Sequence, residues 1–423
     1  MKLLMNDWKS KALEWDLEDP LASFRERFIH PPETIYLDGN SLGKLPHGVA
    51  RDLEETIQKQ WGQKLIRSWN DHWFGLSNRV SKKLAELLRV TPTELIVGES
   101  TSVRLFQIAQ ALAHTKCFPS RLVTDSLNFP TDSYILDAIS KQTYDAPTVR
   151  VNYKDTLRAD LNALKSKIDS HPGIYCLSLV SYQSGYAYPI KQLNRYAASN
   201  NSLIIWDLSH AVGVLDIDLK ETETKAAIGC TYKYLNGGPG APAFLYVDAH
   251  ILKQIENPIA GWFGHARPFN FESEYQPAST IQKMAVGTPS ILSLVALEKG
   301  LELTLEAGIS KIRHKSVLQS TFLYELVTAR LEPLGIAIES PPESDQRGSH
   351  ISISHPEAWR ITKALQKGTP SIIPDFRPDR FIRLGIAPLY TRFSDLLIVI
   401  DRLEYILSTK EYLQFTLEKP HVT

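Results

Sequence analysis

A chain of 423 residues, 43% of them hydrophobic, is long enough for two domains and a large buried core. Its 47 basic side chains balance 47 acidic ones, which excludes a global field for nucleic acid or an anionic membrane, so any anion must be caught locally. The three cysteines, Cys117, Cys176 and Cys230, are far apart with no C-x-x-C pair, and read as reduced core residues rather than a disulfide or zinc set.

The stretch MKLLMNDWKSKALEWD turns charged too early for a signal peptide, and no apolar run approaches the roughly 20 residues that span a bilayer. A cytoplasmic location is expected. An N-terminal arm leads to a short strand, IYLD (35–38), a Gly/Pro-punctuated turn and an amphipathic helix around 47–61. Further strands are read at LIVG (95–98), RLVTD (121–125), TVRVN (148–152), YCLSLV (175–180), LIIWD (203–207), AAIGCT (226–231) and AFLYV (243–247). Helical spacing separates most of them, as in VRLFQIAQALAH (103–114). Short apolar strands alternating with helices predict an α/β fold with a mainly parallel sheet covered on both faces. After about residue 305 the pattern shifts to a long helix (309–331), strands such as HISIS (350–354) and FIRLGI (381–386), and a final helix (393–408). The expected domains are 1–60 as arm and first helix, 61–305 as the large domain and 306–423 as a smaller α+β domain.

GCTYKYLNGGPG (229–240) carries the most chemistry, because it places Lys233 after an apolar strand and before a glycine-rich loop. Open α/β sheets bind ligands at such strand ends. Alone, Lys233 reads as a surface lysine beside a turn. LIIWDLSHAVG ends another strand in Asp207, with His210 one turn on; alone, these read as a helix cap and a packed histidine. Together they fit pyridoxal phosphate, whose ring nitrogen stays protonated only beside a buried carboxylate. LIVGESTSVRLF runs from strand into helix through Ser100, Thr101 and Ser102, either a simple cap or an anion cradle. NFPTD offers Phe129 to stack on a ring and Asp132 as a polar contact, and Ser178 and Tyr232 add hydroxyls.

With YLDGNSLG (36–43), IRSWN (66–70), NFPTD, WDLSHAVG, GCTYKYLNGGPG, GWFGH (261–265), RGSHISI (347–353) and RLGIAPLY (383–390) in order, the chain resembles the kynureninase family over nearly its whole length. The resemblance implies a fold-type-I, aminotransferase-like pyridoxal-phosphate enzyme with a seven-stranded-type sheet. The implied reaction is hydrolysis of L-kynurenine to anthranilate and L-alanine in tryptophan catabolism, with 3-hydroxykynurenine a poorer substrate. It further implies that Lys233 holds the cofactor covalently and acts as base, that Asp207 pairs with the pyridine nitrogen, and that Phe129 stacks on the ring. Thr101, Ser102, Tyr232, Trp262 and Thr288 would gather at the phosphate, with Asp132, Ser178 and His210 completing the pocket. Tyr232 would also shuttle a proton. Arg383 would hold the substrate carboxylate, with Ser41 and Trp69 bordering the substrate. Trp262 and Thr288 would come from the neighbouring subunit of a homodimer. Arg104 stands where the resemblance leads one to expect a neutral side chain, which alters the charge near the phosphate.

Three other readings compete. GNSLG (39–43) satisfies the G-x-S-x-G of serine hydrolases, but Pro46 interrupts the immediate helix that a nucleophile elbow requires. A cysteine desulfurase would need a mobile, exposed nucleophilic cysteine. A catalytically silent scaffold would have no use for Asp207, Lys233 and Arg383 together.

Overall fold

The structure is a computed structural model and describes residues 2–418 except 116 and 379. Residue 1 and residues 419–423, the outer ends of the first and third expected domains, lie outside the described residues. The first sheet contains β2 (Leu95–Val97), β3 (Leu122–Asp125), β4 (Val149–Val151), β5 (Ile174–Ser178), β6 (Leu203–Asp207), β7 (Ala226–Gly229) and β8 (Phe244–Val247). A preceding strand, β1 (Thr34–Leu37), joins a second sheet with β9 (Ala337–Ile338), β10 (His350–Ser354), β11 (Ser371–Arg377) and β12 (Phe381–Gly385).

The seven strands run in the order β2-β8-β7-β6-β5-β3-β4, and only β8 is antiparallel to its neighbours. Both faces are covered, as continuous apolar strands require. Leu177, Trp206, Ala227 and Tyr246 pack into one layer, whereas Cys176, Ile205, Ile228 and Leu245 pack into the opposite one. This is the period-two alternation of a strand buried on both sides. Because β8 alone is reversed, the C-terminal ends of β2, β3, β5, β6 and β7 share one edge, and Thr101, Ser102, Phe129, Asp132, Ser178, Asp207, His210, Tyr232 and Lys233 lie at or shortly after those ends.

The second sheet, β1-β11-β12-β10-β9, is antiparallel except that β1 pairs in parallel with β11. Ile351, Ile353, Ile372, Ile382 and Leu384 form its core together with Phe322 and Leu326 of helix Ile309–Arg330 and Leu396 and Ile400 of helix Phe393–Thr409. Three local readings differ from the sequence expectation. The N-terminal arm is helical over Lys2–Glu18, and Trp8 and Trp15 pack against the core of the second sheet. The helix expected around 47–61 is α-helical only over Val49–Glu55 and widens into a π-helix over Thr56–Lys64. Cys176 and Cys230 are buried, but Cys117 is exposed just beyond a helix end, so the reading of three core cysteines is corrected to two.

Chain crossings beside Lys233 demand close approach. The Gly43 amide donates to the Tyr232 carbonyl at 2.8 Å, and a Cβ on Gly43 would lie 2.4 Å from the Lys233 carbonyl oxygen. Only glycine lets the YLDGNSLG loop seat there.

Candidate active site

A cavity of about 1060 Å³ opens at the shared strand edge. It brings together Lys233, Tyr232, Asp207 and His210 from the ends of β6 and β7, Phe129 and Asp132 after β3, and Ser178 at the end of β5. Thr101 and Ser102 line it from the start of helix Thr101–His114, and Thr288 lines it from an exposed loop.

Lys233 Nζ lies 2.8 Å from His210 Nε2 and 6.0 Å from the centre of the Tyr232 ring. Burial lowers the Lys233 pKa, and burial with the neighbouring Lys233 charge holds His210 well below its ordinary value. The imidazole is therefore neutral. Asp207 Oδ1 accepts hydrogen bonds from the Ser209 amide at 2.8 Å and hydroxyl at 2.6 Å, leaving its other oxygen without a donor among the described residues. Burial raises the Asp207 carboxyl, while Ser209 and the Lys233 charge draw it down. Asp132 is raised well above the usual carboxylate range by burial and then by Asp207, and its Oδ2 is buried without a partner. Ser178 donates to Asn128 Oδ1, and Asn128 Nδ2 donates to the Cys176 carbonyl at 3.1 Å. Phe129 presents its ring to the cavity, edge-on to Tyr182 at 5.2 Å.

Arg383, Ser41, Trp69 and Trp262 do not line this cavity. Arg383 is fully buried on β12, and its guanidinium is held by Asp375, by the Tyr182 carbonyl and by Ser41 Oγ at 3.2 Å. Arg377 shares both side-chain partners, reaching Asp375 at 3.0 Å and Ser41 at 3.4 Å, and is half-buried. Ser41 Oγ thus faces two guanidiniums and the Asp38 carboxyl, and no histidine is hydrogen-bonded to it among the described residues, which counts against the serine-hydrolase reading. Trp69 packs edge-on to Trp73 at 5.7 Å and against Phe263 at 6.2 Å; Phe263, in turn, lines the cavity. Trp262 is 41% exposed beside Phe269 and Phe271.

Sequence reasoning passed over Ser209 and Asn128, although both sit inside quoted motifs. It also passed over Asp375, whose strand β11 gave no separate signal. No cluster of three metal-ligating side chains occurs among the described residues.

The matched family model is the kynureninase C-terminal domain, over residues 312–403. Over 419 residues the chain is 35% identical to kynureninase of Pseudomonas fluorescens, covering 98% of this chain and 99% of that protein. Kynureninase of Burkholderia mallei is 34% identical over 96% of each chain. The chain belongs to the kynureninase family. It is a pyridoxal-phosphate-dependent hydrolase acting on a carbon–carbon bond. Among solved structures the fold is similar to a cysteine desulfurase from Thermococcus onnurineus NA1, with a TM-score of 0.78 at 16% identity over 92% of this chain and 98% of that one. It is also similar to C-DES with glycine covalently linked to its PLP cofactor, with a TM-score of 0.77 at 15% identity over 90% and 98%. These likenesses show the fold alone. A desulfurase reading fails here on cysteine placement. The exposed Cys117 follows the far end of a 14-residue helix that begins at the cavity, about 20 Å away along its axis.

The residues fit the cofactor. An amine, a buried carboxylate with one oxygen free of protein donors, a ring-sized aromatic and a helix N-terminus converge on one cavity.

The cluster of Asp38, Asp375, Arg377 and Arg383 yields a pH prediction. Asp38 is pushed up to about 7 by burial and by Asp375, against the pull of Ser41, Arg383 and Arg377. Its folded pKa lies above the unfolded one, so the stability it contributes is complete below the unfolded pKa and is lost as pH rises through about 7. Above that pH Asp38 becomes an anion beside both arginines, of which the resemblance assigns Arg383 to the substrate carboxylate. The kcat/KM profile is expected to fall above about pH 7 through a rising KM. Asp38→Asn removes that limb, whereas Arg383→Lys raises KM at every pH because lysine cannot copy the planar fork. An unchanged profile in Asp38→Asn would count against the assignment.

Proposed function

We propose that this chain hydrolyses L-kynurenine to anthranilate and L-alanine with Lys233 as cofactor anchor and base, Asp207 as partner of the pyridine nitrogen and Phe129 as the stacking ring. The observation that carries the proposal is the convergence of Lys233, His210, Asp207 and Asp132 at the strand ends, where burial shifts the pKa of each. Pyridoxal phosphate, when bound, supplies an electron sink for the bonds broken next to the substrate amine. Lys233, its pKa lowered by burial, would hold the cofactor and serve as the base for the substrate α-proton. His210 accepts or returns a proton through its 2.8 Å contact with Lys233. Tyr232, whose pKa is raised by Cys230 and by burial, keeps its proton and delivers it in a later step. Thr101 and Ser102 cradle the phosphate with helix-terminal N–H groups and hydroxyls. Ser178 completes the pocket. Arg383 and Arg377, joined through Ser41, hold the substrate carboxylate; because Arg383 is already occupied by Asp375 and Tyr182, the more open Arg377 shares that load.

The surface beside the cavity supports a homodimer. Trp262, Phe269, Phe271 and Phe74 make a contiguous exposed aromatic patch, of a kind that marks a protein interface. Trp262, which does not line its own cavity, then reaches the neighbouring site, whereas Thr288, expected there too, lines its own. Buried, unpaired Cys176 and Cys230 accord with a reducing cytoplasm.

The test compares L-kynurenine with its 3-hydroxy derivative. Trp69 stands one ring behind Phe263, which lines the cavity, so an apolar wall rather than a polar partner is proposed to face the added phenolic hydroxyl. Leaving that hydroxyl unpaired costs on the order of 1–3 kcal/mol, roughly ten- to a hundredfold in kcat/KM. Release of anthranilate and alanine, with kynurenine preferred, is the expected result. No release from either substrate would sink the function, and equal or reversed kcat/KM values would sink the preference alone.

A further inference from the structure

Arg104 has an electrostatic position that the protein itself does not compensate. It lies in the second turn of helix Thr101–His114, 1% exposed, behind the Ser100–Ser102 cradle. A cation near a helix N-terminus opposes the helix dipole. Burial adds to the difficulty, drawing even this guanidinium down to about 10, with only Glu99 acting the other way. No carboxylate is ion-paired with it among the described residues. Its contacts are neutral: Nε donates to the Gly98 carbonyl at 3.0 Å, and Nη1 donates to Gln107 Oε1 and to the Met284 carbonyl, both at 2.8 Å. Gln107 Nε2 also reaches the Met284 carbonyl at 3.0 Å, so the fork is rigidly braced. Nη2 has no hydrogen-bond partner among the described residues, and a Cβ on Gly98 would sit 2.9 Å from it. The side chain lines the cavity.

A buried, braced and unpaired cation beside a cavity calls for an anion inside it. We propose that Arg104 supplies the fixed positive charge of the cofactor-phosphate subsite, acting from behind the Ser100–Ser102 cradle. The proposal rests on the placement of the phosphate at that helix N-terminus. With a dianion there, helix dipole and guanidinium act in the same sense, and the bracing keeps the charge in place whether or not the cofactor is bound. Among the groups expected at the phosphate, namely Thr101, Ser102, Tyr232, Trp262 and Thr288, none carries a positive charge. Arg104 therefore changes the character of the subsite from hydroxyls and amides alone to hydroxyls, amides and one full charge.

Cofactor-depleted full-length chain is titrated with pyridoxal 5'-phosphate and, separately, with pyridoxal, which lacks the phosphate. The parent chain should prefer the phosphorylated form strongly; absence of that preference would overturn the underlying placement of the phosphate. Arg104→Met should weaken pyridoxal 5'-phosphate on the order of ten- to a hundredfold and pyridoxal by less than about threefold. Arg104→Lys, which retains the charge, should recover most of the discrimination. Should Arg104→Met fail to fold, Arg104→Gln removes the charge while still donating to a backbone carbonyl, and the same loss of discrimination is expected. Equal weakening of both ligands would make Arg104 a mere brace for the Met284 segment and overturn the proposal. So would a folded, uncharged variant that discriminates as the parent does.

Discussion

Lys233→Ala is expected to abolish turnover while leaving the fold intact. The side chain makes one hydrogen bond, to His210, and sits half-buried at the cavity floor, so its removal costs little packing. The chemistry loses two functions at once, the covalent hold on the cofactor and the base. A positioned base alone is worth about 10²–10⁴ in rate. With the anchor also gone, a drop of at least about 10⁴ is expected, roughly 5 kcal/mol of barrier. The visible absorption spectrum gives an independent reading. The parent should show a yellow band that borohydride abolishes by fixing the cofactor on Lys233, whereas the variant should not be fixed. A variant turning over at the parent's rate would remove Lys233 from the mechanism.

The large sheet was legible because its strands are short, apolar and buried on both faces, a pattern that survives in one dimension. The strand-end positions of Asp207, Ser178 and Lys233 followed directly from it. The second sheet was less legible for a physical reason. β1 pairs with β11 more than 300 residues away, Thr34 opposite Ser371, and no local periodicity encodes that contact. The N-terminal helix Lys2–Glu18 was passed over as an arm because its apolar face is defined by a partner, the core around helix Phe393–Thr409, that lies at the other end of the chain. The same distance hid Asp375. Arg383 could be singled out from RLGIAPLY, but that its fork is already occupied by Asp375, Tyr182 and Ser41 emerges only when three remote segments meet. Exposure of Cys117 was likewise invisible, since apolar neighbours in sequence do not fix which way a helix end faces.

Asp207→Asn isolates charge from shape. The amide keeps an oxygen where the Ser209 amide and hydroxyl donate, so the end of β6 should retain its geometry and the protein its stability to within about 1 kcal/mol. What disappears is the negative charge at the cavity floor. A neutral amide cannot hold a proton on the pyridine nitrogen, and without that proton the ring accepts electrons poorly. Turnover should fall by several orders of magnitude with cofactor still bound through Lys233. A second consequence follows from Asp132, whose pKa is raised first by burial and next by the charge of Asp207. Removing that charge should move any limb of the pH–rate profile that belongs to Asp132 toward lower pH. Both readings come from one variant: kcat, and the profile of the residual activity. A loss smaller than tenfold, about 1.4 kcal/mol, would mean that the carboxylate serves only to cap the strand end through Ser209. In that case a different group must stabilise the charge that develops when the substrate's Cα–H and Cβ–Cγ bonds break.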